Sequence, residues 1–185
     1  MAEIAGLKLI VPSSVSVGGS ASASVSATGK VTFSSVSNVD TVTINDCFVG
    51  YDNYLVVWRG TLASGNPALS VQLTSSGTPA TASNYTYQRL YVEDVSANGV
   101  RSSAGQFHFG QVGGGKYNGA HIYFYGPSLS QPTAARSVTA WGTDGARMDD
   151  SAATHSLSTS YDGFIFWLGS GGGGEGALTV YGLSQ

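Results

Sequence analysis

The sequence predicts an all-β fold: a two-sheet antiparallel β-sandwich, jelly-roll-like, with about nine or ten strands and an extended N-terminal arm. Three observations carry that reading. No window holds a sustained 3.6-residue apolar period, so no amphipathic helix is called for. Short segments that alternate apolar and polar residues recur along the chain. Turn residues punctuate them, as at Asn98-Gly99, Gly113 to Gly115, Gly126-Pro127, Gln131-Pro132, Asp144-Gly145 and Gly171 to Gly174.

The elements follow in order. Residues 1–12 form a short apolar tag, and 13–29, "SSVSVGGSASASVSATG", are low in complexity. Small residues have little to bury, so residues 1–29 read as an arm or linker, and Val15 and Val17 also allow a short strand docked on a partner. The sandwich domain is then 30–185. Val31 and Phe33 share one face of a first strand. Val42 and Ile44 share a face of a second, after a turn at 37–40. In "DNYLVVWRG", Tyr54, Val56 and Trp58 project one way and Leu55 and Val57 the other, which predicts a central strand covered on both faces. Leu69, Val71 and Leu73 point inward from the next. Tyr85, Tyr87, Arg89 and Tyr91 share a face of "NYTYQRLYVEDV". The segments "GQFHFGQV", "AHIYFYG", "RSVTAWG", "DGFIFWLGS" and "GALTVYGL" follow, and the last two read as a hairpin closed by the loop "GSGGGGEG".

Two distant segments open alike: "YDNYLVVW" at 51–58 and "YDGFIFWL" at 161–168. Tyr-Asp before an apolar run reads as a turn exit, the Asp accepting backbone N–H groups two residues on. Both segments are expected to be equivalent central strands, with Trp58 and Trp167 buried rather than displayed as a ligand platform.

Composition narrows the function. The chain has 185 residues, of which 42% are hydrophobic and 11% aromatic, so it can build a core. Charged residues are only 10% and the net charge is −3. The eight basic residues form no stripe, which argues against nucleic acid as a partner. No apolar run reaches the roughly 20 residues of a spanning helix, so no membrane partner is expected. The apolar stretch from Leu7 to Val11 is interrupted by Lys8 and too short for an export signal. Cys47 stands alone, and a core position suits it better than a nucleophile's role.

Chemistry is not apparent. His108, His121 and His155 lie apart with no metal-ligand spacing. His155 reads as a loop residue. Glu93-Asp94 and Asp149-Asp150 are adjacent acids, which point to opposite sides of a strand and make poor hydrolase pairs. "DGARMDD" at 144–150 reads as a solvated turn. "GGGK" at 113–116 fails the phosphate-loop frame, since Tyr117 follows where Ser or Thr is needed. The expectation is no enzyme, no cofactor and no metal. Tyr85, Tyr87 and Tyr91, with Gln88 and Arg89 nearby, could meet a sugar or a protein, or could cap the core edge.

The ordered phrases "GLKLIVPSSV", "YDNYL", "YTYQRLY", "SLSTSYDGF" and "VYG" span nearly the whole chain. In them the sequence resembles small virion structural proteins of tailed bacteriophages, of the marine and cyanobacterial type. The resemblance implies a β-sandwich accessory protein of the particle, assembled in the host cytoplasm: a capsid decoration, knob or head fibre, bound to a shell or tail protein. Ile4, Leu7, Leu9, Ile10 and Val11 are the residues expected to anchor it, by insertion or strand addition. A tail-associated β-sandwich recognising host surface glycan is the alternative, and a free-standing carbohydrate-binding module a weaker one. Homo-oligomerisation is left open.

Overall fold

The computed structural model describes residues 6–36, 40–115, 117–142, 147–168 and 173–184. Among these residues sixteen strands are formed, more than the nine or ten expected, because the arm supplies three and segments that read as turns or loops supply others. They are β1 (Leu7–Ile10), β2 (Ser14–Val17), β3 (Ser22–Val25), β4 (Val31–Val36), β5 (Val42–Asn45), β6 (Asn53–Leu62), β7 (Ala68–Ser75) and β8 (Thr78–Pro79). Then come β9 (Tyr85–Glu93), β10 (Ser96–Ala104), β11 (Phe107–Gln111), β12 (Tyr117–Tyr125), β13 (Thr133–Trp141), β14 (Arg147–His155), β15 (Gly163–Leu168) and β16 (Gly174–Leu183).

The strands build two antiparallel sheets. The larger has ten strands in the order β10-β9-β14-β13-β12-β6-β16-β4-β3, with β1 also on β16. The smaller has six in the order β11-β7-β15-β5-β2, with β8 on β7. The sandwich and its antiparallel pairing are as the sequence predicts. The core lies between the sheets and takes every one of the seven phenylalanines, while among the ten tyrosines only Tyr54, Tyr85 and Tyr161 are buried. Rings without a hydroxyl have nothing to satisfy inside, whereas each buried phenol needs a partner. The Tyr54 hydroxyl donates to the Tyr51 carbonyl at 2.6 Å. That of Tyr85 donates to the Ala80 carbonyl at 2.9 Å and accepts the Leu73 N–H at 3.1 Å. Cys47 is buried in the core, which pushes its thiol well above the ordinary range.

Several expectations are corrected. Residues 7–25 are not a free arm. They supply three edge strands, β1 on β16, β2 on β5 and β3 on β4. Hydroxyl pairs such as Ser22–Ser34 at 2.7 Å and Ser24–Thr32 at 3.0 Å link β3 to β4. The last two strands are not a hairpin: β15 lies in the small sheet and β16 in the large one. A glycine-rich link can cross between layers about 10 Å apart as readily as it can reverse within one. Asn98-Gly99 sits inside β10, and the turn falls earlier, at Asp94-Val95, where Asp94 adopts φ 53°. "RMDD" opens β14 instead of forming a turn, and His155 closes that strand fully buried. The turns expected at 37–40 and at Asp144-Gly145 fall mainly outside the described residues.

Both Tyr-Asp segments do enter central strands. β6 lies between β12 and β16, and β15 between β7 and β5. Their tryptophans are not equivalent, however. Trp58 is 2% exposed and belongs to the core. Trp167 alternates with Phe166 and Leu168, so it stands on the other face of its sheet, half-buried against the core's margin.

Candidate functional site: a trough across the large sheet

The outer face of the ten-stranded sheet carries polar and aromatic side chains that alternate with the core residues. Register groups them into rows running across the strands. Tyr117, Thr61 and Glu175 form one row on β12, β6 and β16. Val138, His121, Val57 and Thr179 form another. Between them lies a row of mostly small residues: Ala140, Gly119, Arg59, Ala177 and Thr32. Arg59 is the one long side chain in it.

A low row between two taller ones is a trough. Two depressions mark it, of about 550 Å³ over β6, β16 and β4 and about 260 Å³ over β12 and β13. The larger is lined by Tyr117, Arg59, Lys30, Thr61 and Glu175. Gly119, His121, Val138 and Ala140 line the smaller.

Glycines shape the deeper end. Gly60 on β6 faces Gly176 on β16 in register. A Cβ at Gly176 would collide with the Arg59 carbonyl, and one at Gly60 with the Glu175 carbonyl, so the backbones approach too closely for any side chain. Beside this pair the β16–β4 register shifts between Gly174 and Gly176, a bulge that bends the strand locally.

The larger depression combines an aromatic ring, a hydroxyl and charged groups. Tyr117 is 75% exposed, a ring face held at the rim. Thr61 Oγ1 donates to Glu175 Oε1 at 3.3 Å, which orients the carboxylate. No described carboxylate pairs with Arg59 or with the Lys30 ammonium. Among the described residues Glu175 is the only acid lining either depression, and no second described carboxylate faces it across the trough.

The tyrosines picked out from sequence lie elsewhere, on the inner face of β9. Tyr85 is corrected outright: it is fully buried, its ring 4.7 Å from Phe107 and 4.3 Å from His155. Tyr87 is half-buried and rests on His108 at 5.0 Å. Burial and the Arg89 charge lower the affinity of His108 for a proton. Tyr91 packs on the Arg147 guanidinium at 4.0 Å. There Asp149, 1% exposed, meets Arg147 at 3.1 Å and Arg89 at 3.3 Å, and Arg147 also reaches Glu93 at 2.8 Å. This network occupies the polar groups of the β9 face with one another.

The anchor residues divide. Leu7, Leu9 and Val11 are exposed, Leu7 by 56%. Ile10 is buried in the core and is corrected, since inward packing removes it from any partner. Ile4 lies outside the described residues.

No family model matches the chain, and no curated protein matches it in sequence. Among solved structures it is similar to domain 4 of AbnA, an extracellular arabinanase from Geobacillus stearothermophilus, solved in complex with arabinotriose. The identity is 11%, the match covers 96% of this chain and 93% of that one, and the TM-score is 0.41. It is also similar to the C-terminal carbohydrate-binding module of LamC from Zobellia galactanivorans, at 12% identity, 95% and 98% coverage and a TM-score of 0.38. The carbohydrate recognition domain of Emp47p follows at 12% identity, 96% and 95% coverage and a TM-score of 0.35.

Proposed function

We propose that the chain is a non-catalytic, glycan-recognising β-sandwich, displayed on a tailed-bacteriophage particle where it meets host surface sugar. The observation that carries this reading is the trough, with an exposed tyrosine ring at its rim and cationic, carboxylate and hydroxyl groups along it. A sugar ring offers one apolar face and a circle of hydroxyls, and such a site answers both. The placement on a particle rests on the phage-like phrases of the sequence. Calorimetric titration of the chain with oligosaccharides tests the reading. Tyr117→Ala should abolish binding at an unchanged melting temperature. Binding that survives this substitution, or absence of binding to any glycan, overturns it.

A second reading, a decoration anchored on the particle shell, is favoured by one feature. β1 pairs only with β16 among the described strands and displays Leu7 and Leu9. An edge strand with exposed leucines suits strand addition to a partner sheet. Deleting residues 1–12 would also remove the core residue Ile10, so the cleaner test is Leu7→Ser with Leu9→Ser. Loss of particle incorporation by a folded variant supports anchoring through β1, and normal incorporation refutes it.

A further inference from the structure

We infer that the trough takes an internal stretch of a linear acidic polysaccharide, with carboxylate or sulfate groups seated on Arg59 and Lys30. This rests on the glycan reading and names the ligand class. Shape favours a polymer. The small-residue row runs from Ala140 on β13 through β12, β6 and β16 to Thr32 on β4. The row runs on to Ser24 on β3, which leaves that end open, while Met148 on β14 stands beside Ala140 at the other, so a polymer can continue past Thr32 and passes over Met148 beyond Ala140. Four strand-to-strand steps of about 4.8 Å make roughly 19 Å, the reach of about four pyranose units.

Charge favours an acidic one. Arg59 and Lys30 both line the deeper depression, and neither is ion-paired with a described residue. Three other guanidinium groups on the same sheet are matched: Arg136 on the outer face meets Asp150 at 2.7 Å, and Arg147 and Arg89 hold Asp149, while Arg101 stands alone among the described residues on the edge strand β10. In a chain with only eight basic residues, two unmatched cations in one hollow mark where negative charge is missing. Glu175 does not cancel them, being held by Thr61 on the Tyr117 side of the trough. A planar guanidinium receives a carboxylate or sulfate through paired N–H donors. Single-stranded nucleic acid is also a linear polyanion, but the net charge of −3 and a single exposed ring at the rim disfavour it.

The test uses the full chain and calorimetric titration with hexasaccharides of polygalacturonate, of a sulfated galactan and of neutral cellulose, with oligothymidine as the nucleic-acid arm. Acidic hexasaccharides should bind about tenfold tighter than the neutral one, and about tenfold tighter than acidic disaccharides. Arg59→Gln should remove most of the acidic preference, as should raising the salt to about 0.5 M. Gly119→Gln should block binding without unfolding, because a Cβ there meets only the Trp58 carbonyl, at 3.7 Å. Binding by the uronate alone, or by the sulfated chain alone, supports the inference and identifies the anion. Equal binding of neutral and acidic chains overturns it while leaving glycan recognition standing. Preference for oligothymidine overturns it in favour of nucleic acid. Failure of every glycan removes the glycan reading itself.

Discussion

The segments "YDNYLVVW" and "YDGFIFWL" begin alike and end differently. In the first, Trp58 follows Tyr54 and Val56 at even spacing and goes into the core. In the second, Trp167 follows Phe166 directly and falls on the opposite face. Their aspartates differ too. Asp162 accepts the Ser76 N–H at 2.7 Å through its carboxylate, and its carbonyl takes the N–H groups of Cys47 and Phe48. Asp52 is exposed, and its carbonyl alone is engaged, by the Gly126 N–H. The tyrosines diverge as well: Tyr161 lies 3.3 Å from His155 Nδ1, whereas Tyr51 lies over Gly182. A shared phrase thus specifies strand entry, while a one-residue offset decides which face a side chain meets.

Five measurements sharpen this comparison. The largest effect belongs to Trp58→Ala, which empties a filled core position and should cost about 3–5 kcal/mol in chemical denaturation. Trp167→Ala should cost only about 1 kcal/mol, since half of that ring's burial is already forgone. Equal losses would break the distinction between the two tryptophans. Asp162→Ala should cost about 1 kcal/mol by leaving the Ser76 N–H without its acceptor, while Asp52→Ala should stay within about 0.5 kcal/mol.

The fifth concerns pH and bears on the second segment through Tyr161, which lies against His155. Burial holds His155 below the ordinary histidine value of 6.5, as it does His108. The unfolded chain therefore takes up these protons first as pH falls. Stability should be flat above about pH 6.5 and decline below it until the folded-state values are passed. Melting temperatures between pH 8 and 5 measure this, and His155→Asn should flatten part of the slope. A slope unchanged in that variant would remove His155 from the account.

Much of the fold was legible because alternation reports burial directly. The faces of β6 and β9 and the inward position of Phe33 follow from it. The N-terminal strands were not legible. Ser-Val-Ser-Val has no intrinsic reason to be a strand until β5 presents an edge to it. The trough was hidden for a related cause. Thr61 and Glu175 are 114 positions apart and meet only through the β6–β16 register. One trace was available: Gly60 and Gly176 interrupt apolar strands, and glycine inside a strand marks a bulge or a close approach. Tyr91 misled because its partners, Arg147 and Asp149, belong to a segment that reads as a turn.

The pairing of β1 with β16 brings the two described ends of the chain to one corner. Gly6 N–H donates to Ser184 Oγ at 2.7 Å, and Leu7 stands opposite Leu183. The trough crosses β16 at Ala177, six residues back along the strand and so roughly 20 Å away. A tether joined next to either described end would therefore enter at the same corner and hold the trough at arm's length. Grafting onto a bead, a sensor chip or another protein should leave the trough unhindered from either direction.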